Sequence, residues 1–302
     1  MKNEIEFDPA VFHGELTVNR GQVFVRAARP TELDDCALHG YVHGPRCELA
    51  HTLPAKFTLQ DLGAGPTLLA RTTITDPCYW TSDLPQLYEV HVELRRGTEV
   101  LAREQRMIGL RGIGARDQRL VREGKAWIPR GVSLASLSGS DVTALREHLL
   151  VGICSSPPLD LLVEASRLGV YLIVYIDATQ QDVASTLHQL ARWPAVMMAV
   201  IRGADSAAKS LTQIAPNVIL AQHAPARHLS SLQPAAWASA IVAEVSAIDS
   251  LSDWNSLVKL SLPVLAQRQV DQQLSAEDAR SECDRLQRDF ASVGQFAGYW
   301  VS

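Results

Sequence analysis

The stretch RWPAVMMAVIRGAD, residues 192–205, sets seven consecutive apolar residues, Ala195 to Ile201, behind a Trp-Pro pair that cannot continue a helix. The run closes on Arg202, Gly203, Ala204 and Asp205, which read as a turn. An apolar run without alternation describes a strand covered on both faces, as in a parallel sheet.

Working outward, similar strands alternate with helical patterns. GVSLASL, LVGICSS, VYLIVYID, NVILAQ, SAIVAEVSAI, PVLAQRQ and FAGYWV read as strands, while SDVTALREHLL, LDLLVEASRLG, DVASTLHQLARW and SAEDARSECDRLQRDF carry helical periodicity. With residues 195–201 this makes about eight strands, the number that closes a (β/α)8 TIM barrel. Ser140 or Asp141 and Asp160 are expected as helix N-caps, Gly169 and Gly294 as stops. The barrel would run from about residue 116 to 302, short of the usual length of about 250 residues, so its loops must be short.

Upstream the period changes. Between about residues 12 and 115, short strands are punctuated by Gly, Pro and Asp. In the alternating run Leu87 to Leu94, Tyr88, Val90, Val92 and Leu94 fall on one face. This predicts an antiparallel β-sandwich over residues 1–115, followed by the barrel over 116–302.

Composition narrows the class. A formal charge of -5 without a long basic run argues against nucleic acid and anionic membranes as partners. The acidic start MKNEIEFDPA lacks the apolar core of a signal peptide, and no run approaches a membrane span, so a cytoplasmic location is expected. The five cysteines fit no disulfide framework. Cys36, His39, His43 and Cys47 have zinc-compatible spacing, but CALHGYVHGPRC reads as two short strands around Gly-Pro that scatter these side chains over two faces, so no metal is expected. GLRGIGAR does not make a dinucleotide fingerprint, and no cofactor is expected.

Where the two halves join, the residues become specific. YWTSDLPQLYEVHVEL, IGLRGI and LVREGKAWIPRGV resemble the join between the immunoglobulin-like sandwich and the barrel of family 2 glycoside hydrolases, the group of β-galactosidases, β-glucuronidases and β-mannosidases. That family reads approximately W-x-P-x-x-P-x-L-Y, G-F/I-R and N-G-K/R-x-x-x-L/F-R/K-G. Trp80, Pro85, Leu87, Tyr88, Gly109, Arg111, Gly124, Lys125, Arg130 and Gly131 occupy those places. LLVEASRLGVYLIVY is similar to a family segment whose acidic pair is here Ser166 and Arg167, and FAGYWV resembles the last barrel strand. The resemblance runs from about residue 12 to 302, without the family's N-terminal jelly roll.

Function follows the departures. The resemblance implies a retaining mechanism with an acid/base glutamate after strand four and a nucleophilic glutamate after strand seven, about 5 Å apart. Here the strand-four Asn-Glu pair falls on Gly203 and Ala204, and the strand-seven glutamate on Gln267 or Arg268. Alanine carries no proton, and neither Gln nor Arg can serve as an anionic nucleophile. The family's strand-two arginine and strand-four tryptophan align with Ser155 and Ala199.

The resemblance therefore implies a family-2-like scaffold that has lost catalysis and binds a carbohydrate or a protein partner. A second reading is an active O-glycoside hydrolase with relocated carboxylates, Asp205 with Glu244 or Asp177, since acids at barrel strand ends are placed for chemistry. Against it, Asp177 and Asp205 precede helical sequence and read as N-caps or first-turn acids, and Glu244 reads as a paired structural acid. A third is a structural or oligomer-forming module using the sandwich surface. His223 and His228 flank a loop after strand five, and His223, Tyr299 and Trp300 are the candidate ligand contacts, Tyr299 and Trp300 being equally readable as barrel packing.

Overall fold

The computed structural model describes residues 7–30, 35–63, 65–136, 142–203, 210–225, 232–245, 260–292, 294 and 296–302. Two compact units form. Met1–Arg111 with Arg192–Pro194 makes the first, and Gly112–Ala191 with Ala195–Ser302 the second.

The first unit is an antiparallel sandwich. One sheet has the order β1 (Ala10–Thr17), β2 (Arg20–Ala28), β6 (Thr67–Thr75) and β5 (Gln60–Asp61); the other has β4 (Ala55–Thr58), β3 (Cys36–Arg46), β7 (Leu87–Arg96) and β8 (Glu99–Ile108). Alternation drives both. Val23 and Val25 of β2, Leu68, Ala70 and Ile74 of β6, and Tyr88, Val90, Val92 and Leu94 of β7 all turn into one core. Each fully buried aliphatic side chain contributes about 1.5–3 kcal/mol of transfer free energy.

One expectation needs correction here. CALHGYVHGPRC does not make two strands: β3 runs through Gly44-Pro45 as one strand of 11 residues, with its irregularity absorbed between His43 and Arg46. Cys36 sits on the core face, while His39 and His43 lie on the opposite face. Gly44 is required where the strand passes Tyr88, because an added Cβ would lie 2.8 Å from that ring.

The residues quoted at the junction are explained by packing. Trp80 is buried, and its backbone N–H donates to Leu110 at 2.9 Å. A Cβ on Gly109 would lie 2.7 Å from the Trp80 side chain. The Tyr88 hydroxyl accepts the Cys78 N–H at 2.8 Å, and burial pushes its pKa up to about 12. The Arg111 guanidinium, 5% exposed, donates to Pro194 O at 2.7 Å within the first unit.

The second unit opens with a small meander, β9 (Ile113–Arg116), β10 (Arg119–Arg122) and β11 (Lys125–Trp127). Glu123 and Gly124 link β10 to β11 with φ of 52° and 77°, the paired positive values of a two-residue hairpin turn. A closed barrel of eight parallel strands follows: β12 (Arg130–Ser133), β13 (Leu150–Cys154), β14 (Leu172–Asp177), β15 (Val196–Arg202), β16 (Ile219–Ala224), β17 (Ala240–Glu244), β18 (Val264–Arg268) and β19 (Gly298–Val301). All eight runs read as strands from the sequence are these strands.

Around them lie α1 (Val142–Glu147), α2 (Leu159–Leu168), α3 (Val183–Leu190), α4 (Leu211–Ile214) and α5 (Ala276–Asp289). Their ends differ in detail from expectation. Helix α2 begins after Pro158, which leaves Asp160 in its first turn rather than at the cap. Gly169 does close α2, at φ 78° with its N–H on Ala165 O. Helix α3 is capped by Asp182, whose carboxylate accepts from Ala184 N. Helix α5 ends at Phe290, before Gly294. Ser140 and Asp141 lie outside the described residues. No helix among the described residues is long and apolar enough to cross a membrane.

Candidate functional site: the mouth of the barrel

Side chains of paired residues on neighbouring parallel strands project to the same side, and successive residues along a strand alternate. The register around the barrel therefore sorts its residues into two sets. Tyr175 bonds Gln267 across the barrel, from the third strand to the seventh, which fixes their set as the luminal one. Register links it to Trp300 and Gly131, to Ile153 and Ile173, to Asp177 and Arg202, to Ala221 and His223, and through Val242 and Leu265 to Glu244.

The lumen then has two levels. Ile153, Ile173, Met198, Ile219 and Leu265 fill the lower one, all buried, as in other closed eight-stranded barrels. At the C-terminal strand ends the filling turns polar: Tyr175, Arg202, His223, Glu244, Gln267 and Trp300, with Ser302 above.

The Tyr175 hydroxyl donates to Gln267 Oε1 at 2.6 Å, and Gln267 Nε2 donates to Ser302 Oγ at 2.9 Å. The Arg202 guanidinium lies over the Tyr175 ring at 4.3 Å, a cation–π contact. His223 meets the same ring edge-on at 6.1 Å. His223 Nε2 lies 3.2 Å from Glu244 Oε1, and the carboxylate favours the charged form of the ring. The buried Trp300 indole N–H faces the Tyr175 hydroxyl.

Electrostatics follow from burial. Burial lowers the pKa of His223, the Arg202 cation lowers it further, and Glu244 opposes both. The ring is thus neutral at pH 7. Burial raises the pKa of Tyr175, and the facing Arg202 and Trp300 donors only partly offset this. Asp177 at the rim is held below the usual carboxylate range, first by the Thr179 hydroxyl and then by the Thr179 N–H, at 2.7 and 2.9 Å.

The expected site residues separate accordingly. Glu244, Gln267, His223 and Trp300 come together in the polar level. Asp177 shares their parity but spends its Oδ1 on Thr179 two residues on, so it caps a turn rather than the helix that follows. Arg268 points the other way, to Asp289 of α5 at 2.8 Å, so the strand-seven side chain in the lumen is that of Gln267. Tyr299 faces the helix layer, with Arg130 at 5.3 Å over its ring and its hydroxyl accepting the Phe296 N–H. Ala199 is buried on the outward-facing side of β15. Ala204, Asp205 and His228 lie outside the described residues. Among the described residues, no group of three or more His, Cys, Asp or Glu side chains converges to hold a metal ion.

Tyr175 and Arg202 were missed from the sequence. The signal was a tyrosine and an arginine interrupting or ending otherwise apolar barrel strands.

Comparison with known proteins agrees with this architecture. The model of the glycosyl hydrolases family 2 matches residues 38–111, within the sandwich. No curated protein matches the chain by sequence. Among solved structures, a family 2 glycosyl hydrolase from Bacteroides cellulosilyticus DSM 14838 superposes with a TM-score of 0.63 at 14% identity, over 98% of this chain and 45% of that one. A second member from Bacteroides cellulosilyticus gives 0.58 at 16% identity, over 86% and 40%. The Bifidobacterium dentium β-glucuronidase, complexed with coumarin-3-O-glucuronide, gives 0.60 at 13%, over 97% and 59%. The fold is therefore that of family 2 glycoside hydrolases, and the chain spans less than half the length of the first two structures.

Proposed function

We propose that this glycoside-hydrolase-like chain does not cleave glycosidic bonds and acts by binding, through the mouth of its barrel or through a protein partner. The observation that carries the reading is Gln267. It occupies the luminal strand-seven position, and its amide is committed to Tyr175 and Ser302. An amide is neutral and cannot form the glycosyl-enzyme ester that a retaining carboxylate forms.

The proton donor is also unsupported. A general acid needs a raised pKa, whereas hydrogen bonds from Thr179 hold Asp177 ionised. Glu244 is then the one other luminal carboxylate among the described residues, and a single carboxylate does not make the pair that hydrolysis requires.

The test is release of p-nitrophenol from β-galactoside, β-glucuronide and β-mannoside substrates. We expect rates equal to those of buffer. Turnover that disappears in Glu244→Gln would overturn the proposal.

A second reading has one observation in its favour: Glu244 is luminal and stands beside a neutral histidine. In that reading the chain is a hydrolase in which Glu244 works with Asp177 or Asp205. The same assay decides, since Asp177→Asn or Asp205→Asn would then also abolish turnover.

A further inference from the structure

The two outer faces of the sandwich differ in kind. On the sheet of β4, β3, β7 and β8, the outward Glu89 is met by Arg46 and His91, each at 3.4 Å, and Glu93 by Arg95 and by Arg103. The acids of that face are thus matched on the face itself. On the sheet of β1, β2, β6 and β5, Val23, Val25, Leu68, Ala70 and Ile74 turn into the core. By alternation Gln22, Phe24, Arg26, Leu69, Arg71 and Thr73 turn outward. The same row extends sideways, with Phe12 of β1 paired to Phe24 and Gln60 of β5 paired to Arg71. None of these outward residues is acidic.

The aromatic pair on this second face is held in place. The Phe12 and Phe24 rings are half-buried and stack at 5.5 Å with 14° between their planes, and the Arg26 guanidinium lies 5.5 Å over Phe12. Gly14 makes room for this: a Cβ there would lie 2.6 Å from the Phe24 ring. Rings fixed before docking lose little entropy on docking. Aromatic residues and Arg without carboxylates are also the composition of an interface core.

We propose that this face docks a second copy of the chain, sheet on sheet, about a two-fold axis that runs along the strands between β2 and β6. The ladder register selects that axis. A half-turn about it lays each residue of β2 over its own ladder partner in β6 of the second copy, and the reverse. Phe24 then faces Arg71 of the second copy, Arg26 faces Leu69, Gln22 faces Thr73 and Phe12 faces Gln60. Each guanidinium meets a ring or an aliphatic side chain, and no two cations oppose one another. A two-fold axis across the strands through Phe24 and Arg71 would set Arg71 against itself, a like-charge contact. The chosen axis also keeps the strands of the two copies aligned, as stacked sheets prefer.

Size sets the strength. With strands about 4.8 Å apart and nine-residue β2 and β6 about 30 Å long, the face offers roughly 500 Å² per copy, or about 1,000 Å² in all. That is the lower end for a specific interface, so association is expected at a Kd on the order of 10 μM.

The experiment is sedimentation equilibrium of the full chain, from about tenfold below to about tenfold above that concentration. The wild type should pass from the 33.0 kDa chain mass to twice that mass. Phe24→Arg sets two cations against each other at both reciprocal contacts, and Leu69→Arg does the same opposite Arg26. Each should weaken association about a hundredfold. Adding Arg71→Phe to Phe24→Arg restores one ring and one cation at each contact and should return the Kd to within about threefold of the wild type. Arg103→Glu, on the other outer face, should leave it unchanged.

A wild type that keeps the single-chain mass throughout overturns the interface. So does a dimer indifferent to both single substitutions, or a double variant no tighter than Phe24→Arg. Thermal unfolding identifies any misfolded variant, and the folded ones then decide. Glycoside turnover plays no part in this inference, so either result of the p-nitrophenol assay leaves it standing.

Discussion

Trp80 and Trp300 are both buried, and their surroundings are opposites. Around Trp80 there is no spare room: Gly109 approaches so closely that even a methyl group would stand 2.7 Å from the ring system. Around Trp300 the neighbours are polar: its indole N–H faces the Tyr175 hydroxyl, with His223 and Glu244 on the same level of the lumen. Packing constrains residue identity at the first tryptophan, which is why its neighbours match a family pattern. Hydrogen bonding constrains the second, where Tyr175, Gln267 and Ser302 are joined side chain to side chain.

The largest effect should come from filling the space beside Trp80. Gly109→Ala is expected to destabilise the first unit by about 3 kcal/mol, as overpacking of a rigid core does. Gly131→Ala places its methyl 3.1 Å from the flexible Ile153 tip and the Trp300 Cβ, and should cost about 1 kcal/mol. Urea unfolding of the two variants measures the contrast, and equal losses would break it.

The next effect is on pH dependence in the first unit. Burial, then the Arg111 cation, pulls the His13 pKa down to about 4, against the Gly14 carbonyl that favours the charged ring. The unfolded histidine titrates near 6.5, so between these values the unfolded chain binds more protons. The contribution is complete above pH 6.5 and is lost as the pH falls toward 4. Because water still reaches part of the ring, we expect about 2 kcal/mol across that window. Urea midpoints at pH 7 and 5 should differ less in His13→Gln than in the wild type.

Tyr175→Phe tests the other side of the comparison. It leaves Gln267 Oε1 without its donor and should cost the second unit about 1 kcal/mol. A loss above about 3 kcal/mol would mean that packing, not hydrogen bonding, governs the Trp300 region. The smallest effect belongs to Arg268→Ala. Its partner Asp289 is 42% exposed, so the lost ion pair should cost under about 1 kcal/mol.

The sequence made the elements legible where one physical signal dominated. Short, mainly apolar runs between helical patterns located all eight barrel strands, and alternation from Leu87 to Leu94 located the core face of β7. The same lack of alternation hid the site. In VYLIVYID both faces are covered, so nothing in the run says that Tyr175 faces the lumen and Val174 does not. Only the pairing register, a property of eight strands together, separates them. It also separates Gln267 from Arg268 and Trp300 from Tyr299, pairs that adjacent positions in the sequence could not resolve. Gly-Pro in β3 misled for a related reason: a local break signal was outweighed by pairing along the whole of β7.

The Tyr175–Gln267–Ser302 chain has a mechanical consequence. Barrel strands are hydrogen-bonded only to their neighbours, so a ring of eight can flatten along a diameter with each ladder left intact. A bond from the third strand to the seventh acts as a tie-rod on such a diameter. Breathing of β14 and β18 is thereby coupled, and the upper backbone amides of these two strands should exchange with solvent together, at a rate set by one shared opening event.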